Sequence, residues 1–169
     1  MADETPQENG AAEPQVQPSV KIRNQYVKDV SFENISAQKG TPVTSAPQVR
    51  VGVNLDAKKA AGEGDNYEVV LTLKVNAEAD GQPVFLMELD YAGIFEIANV
   101  PQQQLHPFLL IQCPTMLFPF ARRIVSDMTR DGGFPPVNVD PIDFMQLYRA
   151  ELQRRQQAQD ASPDTTGTA

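Results

Sequence analysis

Residues 85–97 read FLMELDYAGIFEI, and this stretch decides the fold. Phe85, Met87, Leu89, Tyr91, Phe95 and Ile97 fall on one phase, and Leu86, Glu88, Asp90, Ile94 and Glu96 on the other. A period of two belongs to a strand with one buried face, because successive side chains point to opposite sides. Three stretches upstream share the pattern. Ile22, Tyr26, Val30 and Phe32 contrast with Arg23, Gln25, Asp29, Ser31 and Glu33. Val49, Val51, Val53 and Leu55 alternate with Arg50, Gly52, Asn54 and Asp56. Tyr67, Val69, Leu71, Leu73 and Val75 alternate with Glu68, Val70, Thr72, Lys74 and Asn76. Turn-forming runs lie between them: GTPVTSAP at 40–47, AGEGDN at 61–66 and ADGQP at 79–83. Connections this short favour antiparallel neighbours, since parallel pairing needs a longer crossover. Residues 20–98 therefore read as an antiparallel meander of four strands.

The alternation stops downstream. Phe108 to Ala121 is the most apolar stretch, broken by Pro114 and Pro119, and it is too short for a bilayer span. Ala121, Ile124, Val125 and Met128 then form a helical stripe, and Gly132 and Gly133 stop it, so 105–131 reads as a long helix. The prolines start or kink it. A helix apolar nearly all round is buried on more than one side, and one sheet offers one side. A second copy of the chain is the expected other side. A second helix is expected over 140–155, with Asp140 as its N-cap and Pro141 at its first position. Phe144, Met145, Tyr148 and Leu152 make its apolar stripe, and a stiff extended link, GFPPVNVD, leads into it. The fold class is α+β: a four-stranded antiparallel sheet with a long helix and a C-terminal helix.

The whole chain holds 169 residues, enough for one domain, expected over 19–155. Residues 1–18 carry four acids and no Lys or Arg, and 156–169 are polar; both are expected to be disordered tails. With 14 Lys and Arg against 22 Asp and Glu, the net charge of -8 disfavours nucleic acid and anionic membrane surfaces as partners. The acidic start MADETPQENG lacks the basic and apolar regions of a secretory signal, so the expected location is the cytoplasm.

Catalytic signals are weak. One Cys and one His exclude a disulfide framework and the usual Cys/His zinc site, so no metal is expected. Cys113 lies in the most apolar stretch, where a reactive thiolate is disfavoured. His106, seven residues earlier, would sit two helical turns away, beyond hydrogen-bond reach. Gly62-Glu63-Gly64 precedes a strand and carries an acid where a phosphate would sit, and no GxxxxGK loop exists. No catalytic residue and no cofactor is expected. The charge pattern says more. Residues 60–121 hold eight acids and one base, Lys74. Glu88 and Asp90 share a phase with Leu86, and Asp29 and Glu33 keep the outward phase of the first strand. Such a face is either plainly solvated or a docking surface for a basic partner.

Five stretches then carry a resemblance. They are Tyr26-Val27-Lys28-Asp29-Val30-Ser31-Phe32-Glu33, Tyr67-Glu68-Val69-Val70-Leu71, Gly93-Ile94-Phe95, Cys113-Pro114-Thr115-Met116-Leu117-Phe118-Pro119-Phe120-Ala121-Arg122 and Gly133-Phe134-Pro135-Pro136. In this order, from Ile22 to Leu152, the chain resembles the bacterial protein-export chaperones of the SecB family. The resemblance implies a cytosolic homotetramer, a dimer of dimers, that binds unfolded preproteins without using ATP and keeps them fit for export. It implies delivery to the motor ATPase SecA, whose basic, zinc-bearing C-terminal segment docks on an acidic sheet surface. The family's docking residues fall on Asp29, Glu33, Leu86 and Glu88. Its interface helix falls on 107–131, so the expected oligomer contacts are Met87, Leu89, Tyr91, Cys113, Leu117, Phe118, Ala121 and Ile124. Its client groove lies beside the sheet, under the second helix and the linker. The candidates are Val49, Val51, Val53, Leu55, Phe134, Phe144, Leu147 and Tyr148, each of which also suits an ordinary core position. Neither nucleic acid nor direct membrane insertion is expected. The rival readings are an oligomeric adaptor for a basic partner and a small cytosolic enzyme. The extended acidic N-terminal tail and a long loop near 57–66 depart from the family pattern.

Overall fold

The computed structural model describes residues 17–62 and 64–160. Residues 1–16 and 161–169, which hold most of the expected tails, lie outside them. Strand β1 (Ser19–Asn34) is followed by a short helix, α1 (Ile35–Lys39), and by β2 (Gln48–Lys59), β3 (Asn66–Ala79) and β4 (Gln82–Ala98). The sheet order is β1-β4-β3-β2, antiparallel throughout. The expected meander thus holds for β2-β3-β4 only. Residues 35–47 carry the chain from one sheet edge to the other, three strand spacings or about 15 Å. Asn34 caps α1 by accepting the Ala37 N–H, and Gly40 ends it at φ 62°. The β3–β4 hairpin turns on Asp80 (φ 53°) and Gly81 (φ 73°), the two left-handed residues that a tight two-residue turn demands.

A helical run covers one face of β3 and β4. It consists of α2 (Gln102–Pro107), a π-helical turn (Phe108–Gln112) and α3 (Cys113–Asp131). Pro114 offers no N–H to the Leu110 carbonyl, so the ladder widens just before it. Cys113, Leu117, Ala121 and Val125 recur every four residues, and all are fully buried. They meet Val69, Leu71, Leu73, Val75, Met87, Leu89 and Phe95 in one core. Each such side chain stabilises the fold by about 1.5–3 kcal/mol. The helix sits closest at Gly93, where a Cβ would come 2.8 Å from Leu117 Cδ2. By length and composition alone, Gln102–Asp131 could cross a membrane. Here its stripe of Cys113, Leu117, Ala121 and Val125 packs on the sheet.

Two local expectations change. Residue 140 does not start the last helix. Helix α4 spans Phe144–Asp160, and Asp143 caps it by accepting the Gln146 N–H at 2.9 Å. Gln156 to Asp160 extend it past the expected end at 155, because QQAQD contains no helix breaker. On β1, irregularities at Arg23 and Lys28 each insert one residue into the pairing with β4. The first flips the phase and the second restores it. Tyr26 therefore lies opposite Ala92 on the outer face, away from Ile22, Val30 and Phe32.

Candidate functional site

The inner face of β2 opens into a groove. Val49, Val51, Val53 and Leu55 pair with Ala77, Val75, Leu73 and Leu71 of β3. Nothing of the described chain covers the start of this row: Val49 and Val51 are 41% and 36% exposed. The linker between α3 and α4 forms the opposite wall with Phe134, Val137, Val139 and Ile142, and Phe85 lies at the floor. The enclosed space is about 720 Å³. Phe85 stacks on Phe32 at 5.4 Å and meets Phe134 in a tilted contact at 4.8 Å, which makes an aromatic end to the groove.

Val53 is shared with a smaller chamber of about 130 Å³. Leu55, Leu110, Leu147 and Tyr148 line it, with Glu151, Arg154 and Arg155 at its rim. The Tyr148 hydroxyl lies 3.1 Å from His106 Nδ1 and ties α4 to α2. Phe144 is absent from both chambers. It is 4% exposed and packs edge-on against Phe118, so it belongs to the core. The resemblance grouped Phe144 with Leu147 and Tyr148, but Phe144 packs against Phe118 of α3 while Leu147 and Tyr148 reach β2. Val137, Val139 and Ile142 escaped the sequence reading, although VNVDPI alternates like a strand.

The opposite face of the sheet is charged. Glu33 lies directly across from Leu86, Ser31 from Glu88 and Asp29 from Asp90. Leu86 is an exposed apolar side chain among these acids. Glu88 is held by Lys74 Nζ at 3.1 Å, and Asp90 accepts the Thr72 hydroxyl at 2.6 Å. Arg50 and Lys58 of β2 pair with Glu78 and Glu68 of β3, and Lys74 of β3 with Glu88 of β4, so Asp29 and Glu33 are left as the acids beside Leu86 outside these ion pairs.

The expected oligomer contacts sit largely inside the single protomer. Met87, Leu89, Cys113, Leu117 and Ala121 are fully buried inside one protomer, and Tyr91 and Phe118 nearly so. Each of these side chains packs within its own helix and sheet. Ile124 alone of the eight is half-buried. The uncovered apolar surface lies beside them instead. On the helix side of β1, Ile22, Val27 and Val30 pair with Phe95, Tyr91 and Leu89, beyond the reach of the helix. Phe120 is 41% exposed next to them, with its ring stacked on Tyr91.

Cys113 is fully buried, and burial pushes its thiol up to about 12. Among the described residues, no group of three or more His, Cys, Asp or Glu is arranged to hold a metal. An open apolar groove on one face and an acidic patch on the other suit a polypeptide-binding protein of the chaperone class.

The comparisons agree with that class. The family model "Preprotein translocase subunit SecB" matches residues 13–155. The chain is 56% identical to the protein-export protein SecB of Dinoroseobacter shibae, over 96% of this chain and 98% of that one. It is 52% identical to the SecB of Paracoccus denitrificans, over 94% and 96%. Its fold is similar to that of a SecB-like chaperone of Mycobacterium tuberculosis, solved in complex with a ChAD peptide from an antitoxin. That likeness has a TM-score of 0.54 at 15% identity and covers 73% of this chain and 90% of that one. The chain belongs to the SecB family of protein-export chaperones.

Proposed function

We propose that this chain binds unfolded preproteins in the β2 groove, without ATP, in the cytoplasm, and delivers them to the motor SecA through the acidic sheet face. The groove carries the reading: an open apolar trough about 720 Å³ in volume, with exposed valines on one wall and a proline-rich linker as the other. An unfolded client exposes apolar side chains, and their burial is favourable by roughly 25 cal/mol per Å² without regard to direction. Such a trough accepts many sequences. A folded client hides the same groups and dissociates, so selectivity follows client folding rate.

Assembly multiplies the effect. The uncovered row Ile22, Val27, Val30 and Phe120 supports self-association into a dimer of dimers, each protomer adding one groove. Several grooves on one long client raise avidity by about 10²–10⁴. Asp29, Glu33 and Glu88, with Leu86 between them, suit a basic segment that carries an apolar residue. That chemistry supports docking of the motor away from the bound client.

Two variants test the division of labour. Val51→Asp places a charge in the trough and should weaken binding of an unfolded precursor by tenfold or more while SecA binding is kept. Glu88→Lys should do the reverse. Loss of both activities in either variant, with assembly intact, would contradict two separate surfaces.

A further inference from the structure

We propose that Thr129 is the positioning residue of the groove: its hydroxyl fixes the linker as a wall. This rests on the reading that the groove takes unfolded chains. Thr129 is fully buried near the end of α3. Its hydroxyl donates to the Val125 carbonyl at 2.9 Å, as a helical threonine often does. It also accepts the Val137 N–H at 2.9 Å, eight residues further on. A threonine serving only its own helix has no use for that second partner. The Thr129 carbonyl takes the Phe134 N–H at 3.1 Å, so two bonds from the linker end on this one residue.

The linker needs such an anchor. Pro135 and Pro136 between the two bonds have no N–H, so the wall cannot be held as a paired strand. Asn34 secures the step before it by donating to the Gly132 carbonyl at 2.9 Å. Gly132 itself presses on Phe32, where a Cβ would come 2.4 Å from the ring. With its start fixed, the wall stands ready and little ordering cost falls on client binding. Freed from Thr129, the same residues would have to be ordered by each client.

The test uses the full chain. Three quantities are measured for each variant: the urea midpoint, hydrogen exchange at the Val137 amide, and the Kd for an unfolded, slow-folding precursor. Thr129→Val keeps the shape and removes the hydroxyl. It should speed Val137 exchange and raise Kd, each about tenfold. Thr129→Ser keeps the hydroxyl and should restore both, whatever the change in urea midpoint. A purely structural role would move the midpoint alone. If Thr129→Val fails to fold, Val137→Pro deletes the same bond from the linker side and should raise Kd alike. Wild-type Kd in the valine variant, or in Val137→Pro, would overturn the proposal, as would serine failing to rescue. If the unaltered protein ignored the precursor, the groove reading would fail, and Val137 exchange in the valine and serine variants would still decide whether Thr129 holds the wall.

Discussion

The Tyr26 hydroxyl donates to Glu68 Oε1 at 2.6 Å, reaching from β1 to β3 across the full width of β4. Ala92 of β4 lies between them, opposite Tyr26 on one side and Val70 on the other, and its small side chain leaves the path open. Lys28 Nζ at 2.8 Å and Lys58 Nζ at 3.1 Å bind the second oxygen of Glu68. Three of the four strands thus converge on one carboxylate, and the irregularity at Lys28 is part of what brings β1 into it.

Glu68 should make the protein acid-sensitive. The hydrogen bond from Lys28, then that from Tyr26, hold its carboxyl at about 2, against an ordinary 4.5. A depressed acid stabilises the fold above its ordinary value and loses that contribution as pH falls from 4.5 towards 2. Glu68→Gln should cost about 2 kcal/mol at pH 7, the scale of a charged hydrogen bond. The gap to the unaltered protein should narrow steadily below pH 4.5. Urea unfolding at fixed protomer concentration across that range checks both statements; a constant gap would contradict them.

Tyr26 gives the alkaline counterpart. The hydrogen bond to Glu68, followed by burial, raises its hydroxyl from 10 to about 12. Its contribution is present below pH 10 and should fade between 10 and 12. Tyr26→Phe should flatten that limb of the stability profile and leave the client Kd unchanged. A limb as steep as before would place the lost proton elsewhere.

Lys74 competes with any basic partner for Glu88, because it already sits 3.1 Å from that carboxylate. Lys74→Gln should therefore tighten binding of a basic docking peptide by about two- to fivefold, the worth of one surface pair. The gain should shrink in high salt. Calorimetric titration at low and high salt reads this directly. Weaker binding in the variant would mean that Lys74 itself contacts the partner.

Oligomer mass should depend on the open side of β1. Val27 and Val30 are 43% and 39% exposed in the single chain, so charging them costs the isolated fold little. The double substitution Val27→Glu/Val30→Glu should lower the mass in solution and leave the far-ultraviolet circular dichroism unchanged. An unaltered mass would move the interface away from β1.

Much of this was legible in the residues. Alternation on β2, β3 and β4 placed their inner faces, since β2 and β3 pair without a slip and β3 and β4 slip only beside their hairpin, past Ala77. On β1 the same reading misplaced Tyr26, because an inserted residue leaves no mark in a period-two pattern. The start of α4 shifted from Asp140 to Asp143 because both are capping types, and only packing chooses between them. Nor does sequence divide core positions from oligomer contacts. An all-apolar helix face announces burial, but whether its own sheet or another copy buries it is a tertiary fact. For the same reason Phe144 read as groove and proved to be core, while Thr129, one hydroxyl among many, gave no sign of its partner eight residues away.

The central claim is that the groove of the assembled protein holds chains that have not folded. Light scattering after size-exclusion chromatography, with a slow-folding precursor and no nucleotide, tests it most directly. The account predicts a mass near four chains that rises with unfolded precursor and stays put with the same precursor folded. A monomer indifferent to the precursor, or one that takes up both forms equally, would contradict it.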